Sequence, residues 1–186
     1  ELLVVIGSRA VCQADCSGIG WPKVRQVVNL NADPVDVQHY NATLALSGDA
    51  GVVANRLAAL IEGLDRSPAK SGWLAEAAAK KAEWQAFRAD RASGPALVDP
   101  VWPRPVMTQP QAIAAADAWC RTAGALKFFD AGDVQANGFQ LVQDDAPFQT
   151  FTESGASYMG FAVSALLSQG LADQGRYGVA FTGDGS

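Results

Sequence analysis

Val179-Ala180-Phe181-Thr182-Gly183-Asp184-Gly185-Ser186 is an apolar run that ends abruptly in Gly-Asp-Gly-Ser. A short β-branched and aromatic run followed by glycine reads as a buried parallel strand opening into a loop. Chains that alternate strands and helices bind anionic ligands at such switches. Two glycines let the backbone turn tightly and bring its N–H groups close to phosphate oxygens. An aspartate between them would repel phosphate unless a divalent cation sits between the two. Mg²⁺ is held in this way, by one or two carboxylates plus phosphate oxygens. Taken by itself the tetrapeptide suits an ordinary surface turn, so the preceding chain has to decide.

Upstream, the chain keeps a strand–helix alternation. Met159 to Ala172 reads as a helix, Glu153-Ser154-Gly155-Ala156-Ser157 as a loop, and Phe148 to Phe151 as a strand. Leu126 to Phe129 reads as a strand ending in Asp130-Ala131-Gly132-Asp133, followed by a long polar loop. Thr108 caps a helix with Pro110 in its first turn and Gly124 as its stop. Ile113, Ala116 and Trp119 are expected on its buried face.

The first half repeats the plan. Residues 2–6 are an apolar, β-branched strand ending in Gly7-Ser8-Arg9, and residues 10–23 read as loop. Val24 to Leu30 is a second strand, closed by Asn31-Ala32-Asp33-Pro34, and Leu44-Ala45-Leu46 is a short third. Asp49 caps a helix to about Leu64, with Val52, Val53, Leu57, Leu60 and Ile61 on one face. Residues 65–72 read as a linker. A helix follows from Trp73 to about Arg91, with Trp73, Ala77, Trp84 and Phe87 on one stripe. That stripe suits docking between domains or subunits, and equally an ordinary core-covering helix. Residues 93–107 hold four prolines and read as an extended crossing. The expected fold is α/β, with two incomplete doubly wound, Rossmann-like parallel-sheet domains. Residues 1–92 form the first with a connecting helix, 93–107 the linker, and 108–186 the second.

Composition narrows the function. The chain has 186 residues and 49% hydrophobic content, which suits globular domains. Its net charge of −5 argues against nucleic acid as a partner. No apolar run approaches the roughly 20 residues that span a bilayer, and the N-terminus lacks signal-peptide features. Three cysteines, Cys12, Cys16 and Cys120, do not make a secreted disulfide framework. They suit reduced thiols in a cytoplasmic protein. His39 is the single histidine, which argues against zinc and against a His-based triad. Both chain ends look cut, since Glu1 opens on a central-looking strand and Ser186 closes where a helix ought to begin. The expectation is an internal piece of a longer polypeptide, or one completed by other chains.

Ser157-Tyr158-Met159-Gly160 followed by Gly183-Asp184-Gly185-Ser186 resembles thiamine-diphosphate-dependent enzymes of the acetolactate synthase group. Further pieces fit in order. Leu3 to Arg9, Val28 to Pro34 and Ser47 to Ala50 resemble the second half of that group's central domain. Phe129-Asp130-Ala131-Gly132 and Met159-Gly160-Phe161 resemble the start of its diphosphate-binding domain. The likeness covers nearly the whole chain except roughly residues 65–105. Asn29-Leu30-Asn31, Glu153 to Phe161, and the tryptophans Trp73 and Trp84 look most like hydrolases that open cyclic 1,2-diones. Cyclohexane-1,2-dione hydrolase and trihydroxycyclohexanedione hydrolase belong to that subgroup. Acetolactate synthase or a 2-oxo acid decarboxylase is the runner-up. The alternative of another class is a non-catalytic FAD- or ADP-binding module.

The resemblance implies roles residue by residue. Thiamine diphosphate reacts through a carbanion at its thiazolium C2, and the protein supplies binding, orientation and electrostatics. Asp184 would ligate Mg²⁺, with Gly183, Gly185 and Ser186 beside the diphosphate. Met159 would be the apolar wedge that bends the cofactor, and the Ser157 carbonyl would accept from its exocyclic amine. A glutamate must protonate the aminopyrimidine. It would come from a pyrimidine-binding domain in another segment or subunit, making a homo-oligomer the expected state; Glu153 does not match it. The first half would hold FAD, ADP or nothing, making a flavoprotein one expectation, with Arg9 on phosphate and Asp33 and Asp49 on ribose or adenine. Each of these three also suits a plain turn or cap. Acetolactate synthases carry a neutral polar residue where this chain has Asp133, whose charge is unfavourable beside phosphate; it would point away, or the loop from Asp133 to Gly138 would be remodelled for a different substrate.

Overall fold

The structure is a computed structural model that describes residues 1–10, 20–38, 42–64, 71–172 and 175–186. Cys12, Cys16 and His39 lie outside the described residues. The chain divides into two compact units, Glu1–Ala69 and Lys70–Ser186, and both are mixed α/β with parallel sheets.

In the first unit, β1 (Leu2–Ile6), β2 (Gln26–Asn31) and β3 (Ala42–Ser47) form a parallel sheet in that order. Val5 pairs with Asn29, and Asn29 with Ala45. β2 is central and carries most of the burial, with Val27, Asn29 and Leu30 enclosed. Ala10, Trp21 and Val24 pack on Val5 and Val27. Strand alternation puts these on one face. α1 (Ala50–Ile61) starts at Asp49, whose side chain accepts from the Val52 N–H at 2.9 Å. Of the five residues expected on its buried face only Val53 and Leu57 are half-buried; Val52, Leu60 and Ile61 are exposed. The helix touches the sheet mainly at β2, so only the strip above that strand is covered.

The second unit begins with α2 (Ser71–Ser93), which contacts α3 (Gln109–Ala123) and α4 (Asp133–Leu141). Read from the sequence as an appendage of the first domain, this helix is held instead to the second. Arg88 donates to the Leu141 carbonyl at 2.6 Å, and Arg91 to the Asn137 side chain at 2.5 Å. Its tryptophan stripe is not buried: Trp73, Trp84 and Phe87 stay exposed, because the arginine-bearing face makes these contacts. The proline-rich crossing is folded too, as the short antiparallel pair β4 (Leu97–Val98) and β5 (Pro105–Val106).

α3 opens on a full capping box. The Thr108 hydroxyl accepts from Gln111 N–H, and the Gln111 side chain accepts from Thr108 N–H. It closes at Gly124 in the left-handed conformation, φ 63°. Its buried residues are Ile113, Asp117 and Cys120, whereas Trp119 is half exposed against Tyr177. The helix is rotated from the expected face because Asp117 has a buried partner. Lys127, only 1% exposed, gives its ammonium to Asp117 at 2.7 Å, Asp144 at 2.8 Å and the Gln143 carbonyl at 2.9 Å.

Lys127 belongs to β6 (Leu126–Phe129), the centre of a second parallel sheet ordered β7-β6-β8, with β7 at Thr150–Thr152 and β8 at Gly178–Phe181. All four β6 residues are buried, as a strand covered on both faces requires. One face packs Phe129 and Phe181 with Ile113, Val134 and Leu141. The Phe129 and Phe181 rings stack at 4.3 Å between centroids. The other face packs Leu126 and Phe128 under Ala162 of α5 (Phe161–Ala172). The polar loop expected after Asp133 is largely α4. Val134, Gln135 and Leu141 turn inward, and Gly138 sits so close to Phe129 that a side chain there would strike the ring. Among the described residues, no helix is long and apolar enough to cross a membrane.

Candidate functional site

β6, β7 and β8 run parallel, so the loops leaving their C-terminal ends share one edge. Asp130 ends β6, Glu153 follows β7, and Thr182 to Ser186 follow β8. Asp130 is fully buried at this edge. Its Oδ1 accepts from the N–H groups of Ala131 and Phe161, each at 3.1 Å. Its Oδ2 accepts from Gly160 N–H at 3.0 Å and the Thr182 hydroxyl at 2.8 Å. Burial alone would raise this carboxyl. The donors, led by Thr182 and Gly160, outweigh it and hold the group below the ordinary aspartate range.

The loop before α5 is built round Glu153. Its carboxylate accepts from Gly155 N–H at 2.8 Å, Ala156 at 3.0 Å and Tyr158 at 3.4 Å. These bonds, Ala156 foremost, hold its carboxyl below the usual glutamate range. Glu153 is therefore an ionised loop anchor and is not set up to protonate a ligand. The wrapping places Ser157 at φ 58°, a left-handed conformation uncommon for a side-chain-bearing residue. Gly160, at φ 88°, then turns its own N–H and that of Phe161 onto Asp130. This internal carboxylate caps α5, so the helix begins at Phe161 and Met159 stays in the loop.

Met159 is brought against the Gly-Asp-Gly-Ser turn. Its Cε lies 3.6 Å from where a Cβ on Gly185 would stand. The turn is tight, with Ser186 N–H reaching the Gly183 carbonyl at 3.4 Å. Ser186 Oγ lies 3.9 Å from a Cβ built on Gly183. Asp184 is exposed, and among the described residues no side chain pairs with it. Ser157, Met159, Gly183, Asp184, Gly185 and Ser186 thus gather at one sheet edge.

The donor set permits a test of fit. Among the described residues no cluster of three His, Cys, Asp or Glu could cage a metal. A lone exposed carboxylate beside two glycines suits a hard cation that draws its other ligands from phosphate oxygens and water. The apolar Met159 beside it suits a ring. These residues could hold a diphosphate through Mg²⁺. Two cavities of this unit lie away from this edge. One of ≈ 590 Å³ runs under α5 along Phe128 and Phe151, and one of ≈ 380 Å³ lies between α2 and α3. The site is an open edge.

Arg9, Asp33 and Asp49 gather at the corresponding edge of the first sheet, one after each strand. Each has a local task. Arg9 lies 3.9 Å from Asp36. Asp33 Oδ1 accepts from Val35 and Asp36 N–H at 2.7 and 3.3 Å, and Asp49 caps α1. Turn and cap chemistry accounts for Asp33 and Asp49, and Arg9 is set beside Asp36. Asp133 is likewise accounted for as the first residue of α4, where negative charge favours a helix N-terminus.

A scan against protein-family models finds no match, and a search of curated proteins finds none.

Asp130, Thr182 and Gln135 were not assigned roles from the sequence. Gln135 donates to the Thr152 hydroxyl at 2.6 Å and the Glu153 carbonyl at 3.2 Å, fixing the start of the loop. The available signal is Asp130 itself, an acid ending a strand that is apolar but for Lys127. Gln135 and Thr182 carry no such signal, since their partners are distant in the chain.

Proposed function

We propose that this chain carries the diphosphate-binding part of a thiamine-diphosphate- and Mg²⁺-dependent enzyme that cleaves or forms a C–C bond next to a carbonyl. Hydrolytic ring opening of a cyclic 1,2-dione is the reading we put first. The observation that carries the proposal is the contact of Met159 with the Gly183–Ser186 turn, because a wedge for the rings and a seat for the metal–diphosphate must be neighbours. When bound, the cofactor supplies a nucleophilic carbon that stabilises negative charge left by C–C cleavage. Asp184 would neutralise Mg²⁺ charge, and Gly183, Gly185 and Ser186 would offer backbone and hydroxyl donors to the diphosphate. Met159 would serve as the apolar wedge against the rings, and the Ser157 carbonyl would accept from the exocyclic amine. Glu153, being ionised and bound to its own loop, leaves the proton on the aminopyrimidine to a glutamate of another segment or subunit.

Acetolactate synthase and 2-oxo acid decarboxylase activities use the same residues, so only the product separates them from the hydrolase. A second reading, nucleotide binding by the first unit, draws on the convergence of Arg9, Asp33 and Asp49 at one sheet edge. Equilibrium dialysis of the full chain with labelled thiamine diphosphate tests the proposal. Retention with Mg²⁺ and release by a chelator is expected; no retention in either condition sinks it. Nuclear magnetic resonance of cyclohexane-1,2-dione and pyruvate incubated with the loaded protein then distinguishes ring opening from decarboxylation.

A further inference from the structure

We propose that Asp130 is a positioning residue that keeps the two halves of the site in register. It rests on reading those halves as a thiamine-diphosphate site, although the contact itself does not. The donors to Asp130 come from separate parts of the chain. Gly160 and Phe161 follow Met159 directly, and Thr182 precedes Gly183 directly. Whatever holds these groups on one carboxylate sets the distance from Met159 to the metal-binding turn.

The chemistry requires an acid. All of the partners are donors, and a carboxylate offers acceptors on both oxygens. Asparagine would turn an NH₂ toward either the two amides on Oδ1 or the amide and hydroxyl on Oδ2. In the first placing both amides lose their acceptor; in the second the Gly160 amide does, while the Thr182 hydroxyl can turn to accept. Asp130 also fills the N-terminus of α5 with its own negative charge. A phosphate is thereby excluded from that helix end and directed to the Gly183–Ser186 turn. Asp130 touches neither cofactor nor substrate in this arrangement; it acts through Met159 and Thr182.

The test uses the full chain with Asp130→Asn, Thr182→Val and Thr182→Ser. Hydrogen exchange without cofactor reads the contact directly. Asp130→Asn is expected to speed exchange at Gly160 and Phe161 by about tenfold or more. Thr182→Val is expected to loosen Gly183 to Ser186 while sparing Gly160. Calorimetric titration with thiamine diphosphate and Mg²⁺ reads the consequence. Asp130→Asn is expected to weaken binding by about tenfold or more and Thr182→Val by less, with Thr182→Ser within about twofold of the parent. Combining Asp130→Asn with Thr182→Val should cost less than the two single losses together, since both act through one contact. Unchanged exchange at Gly160 and Phe161, or equal binding by the valine and serine variants, overturns the proposal. If Asp130→Asn fails to fold, the Thr182 pair decides it alone. If the parent binds no thiamine diphosphate, the functional reading fails, and the exchange result still supports or overturns the register role.

Discussion

Replacing Lys127 with methionine should be the most damaging conservative change in the second unit. The side chain keeps its length and loses its charge. All three ammonium donors are used, on Asp117, Asp144 and the Gln143 carbonyl. Burial opposes the charge, but the bonds to Asp117 and Asp144 outweigh it and raise the Lys127 pKa above its ordinary value. Asp144 is about one-third exposed and can turn to water, whereas the Asp117 side chain is 6% exposed and cannot. Lys127→Met therefore strands a buried carboxylate, at a cost of about 3–5 kcal/mol. In a unit of this size that lowers Tm by roughly 10–20 °C. Pairing it with Asp117→Asn removes the stranded charge and keeps an acceptor for Gln143 N–H, so about half the loss should return. A raised lysine pKa stabilises the fold fully below the unfolded-state pKa, near about 10.4. That stabilisation is lost as pH rises through the folded value. The parent should thus lose stability above about pH 10.4 and the methionine variant should not show that loss. Thermal and urea unfolding across pH measure both. A single-variant cost below about 1 kcal/mol, or no recovery in the double, would refute the reasoning.

Gly138→Ala drives a Cβ into the Phe129 ring and should cost about 1–3 kcal/mol of urea-unfolding stability. Thr108→Ala removes the hydroxyl half of the α3 capping box and should cost about 1 kcal/mol by the same assay. Asp130 and Glu153 both have depressed carboxyl pKa values, so their contribution is complete above their unfolded values and fades as pH falls through the folded ones. Amide signals of Gly155 and Ala156, which report on Glu153, and of Gly160 and Phe161, which report on Asp130, should therefore hold steady down to about pH 4 and shift only below it.

Where local chemistry and tertiary packing agree, the sequence was readable. Asp49 and Thr108 cap helices, Gly124 ends one, and the runs read as strands at 2–6, 126–129 and 177–182 hold β1, β6 and β8. The failures share a cause, since in each a distant partner overrode the local signal. Asp133 to Leu141 holds Asn137 and Gly138, poor helix formers, yet Gly138 is what lets α4 lie against Phe129. Asp117 reads as solvent-facing until Lys127 is placed opposite, and that pair rotates α3 and leaves Trp119 outside. By sequence Met159 reads as the first residue of a helix. Asp130 caps α5 two residues later and leaves Met159 free to meet Gly185. Nothing in the local sequence brings Met159 to the Gly183–Ser186 turn, and nothing there pairs the Asp130 carboxylate with Gly160 and Thr182 beside them.

The most direct measurement is calorimetric titration of thiamine diphosphate into the full chain and its Asp184→Ala variant, with and without Mg²⁺. The account predicts binding by the parent only with Mg²⁺. The alanine variant should lose about 2–3 kcal/mol, roughly 30- to 150-fold in affinity, the worth of a charge-assisted contact. Equal binding by parent and variant, or binding indifferent to Mg²⁺, would contradict it.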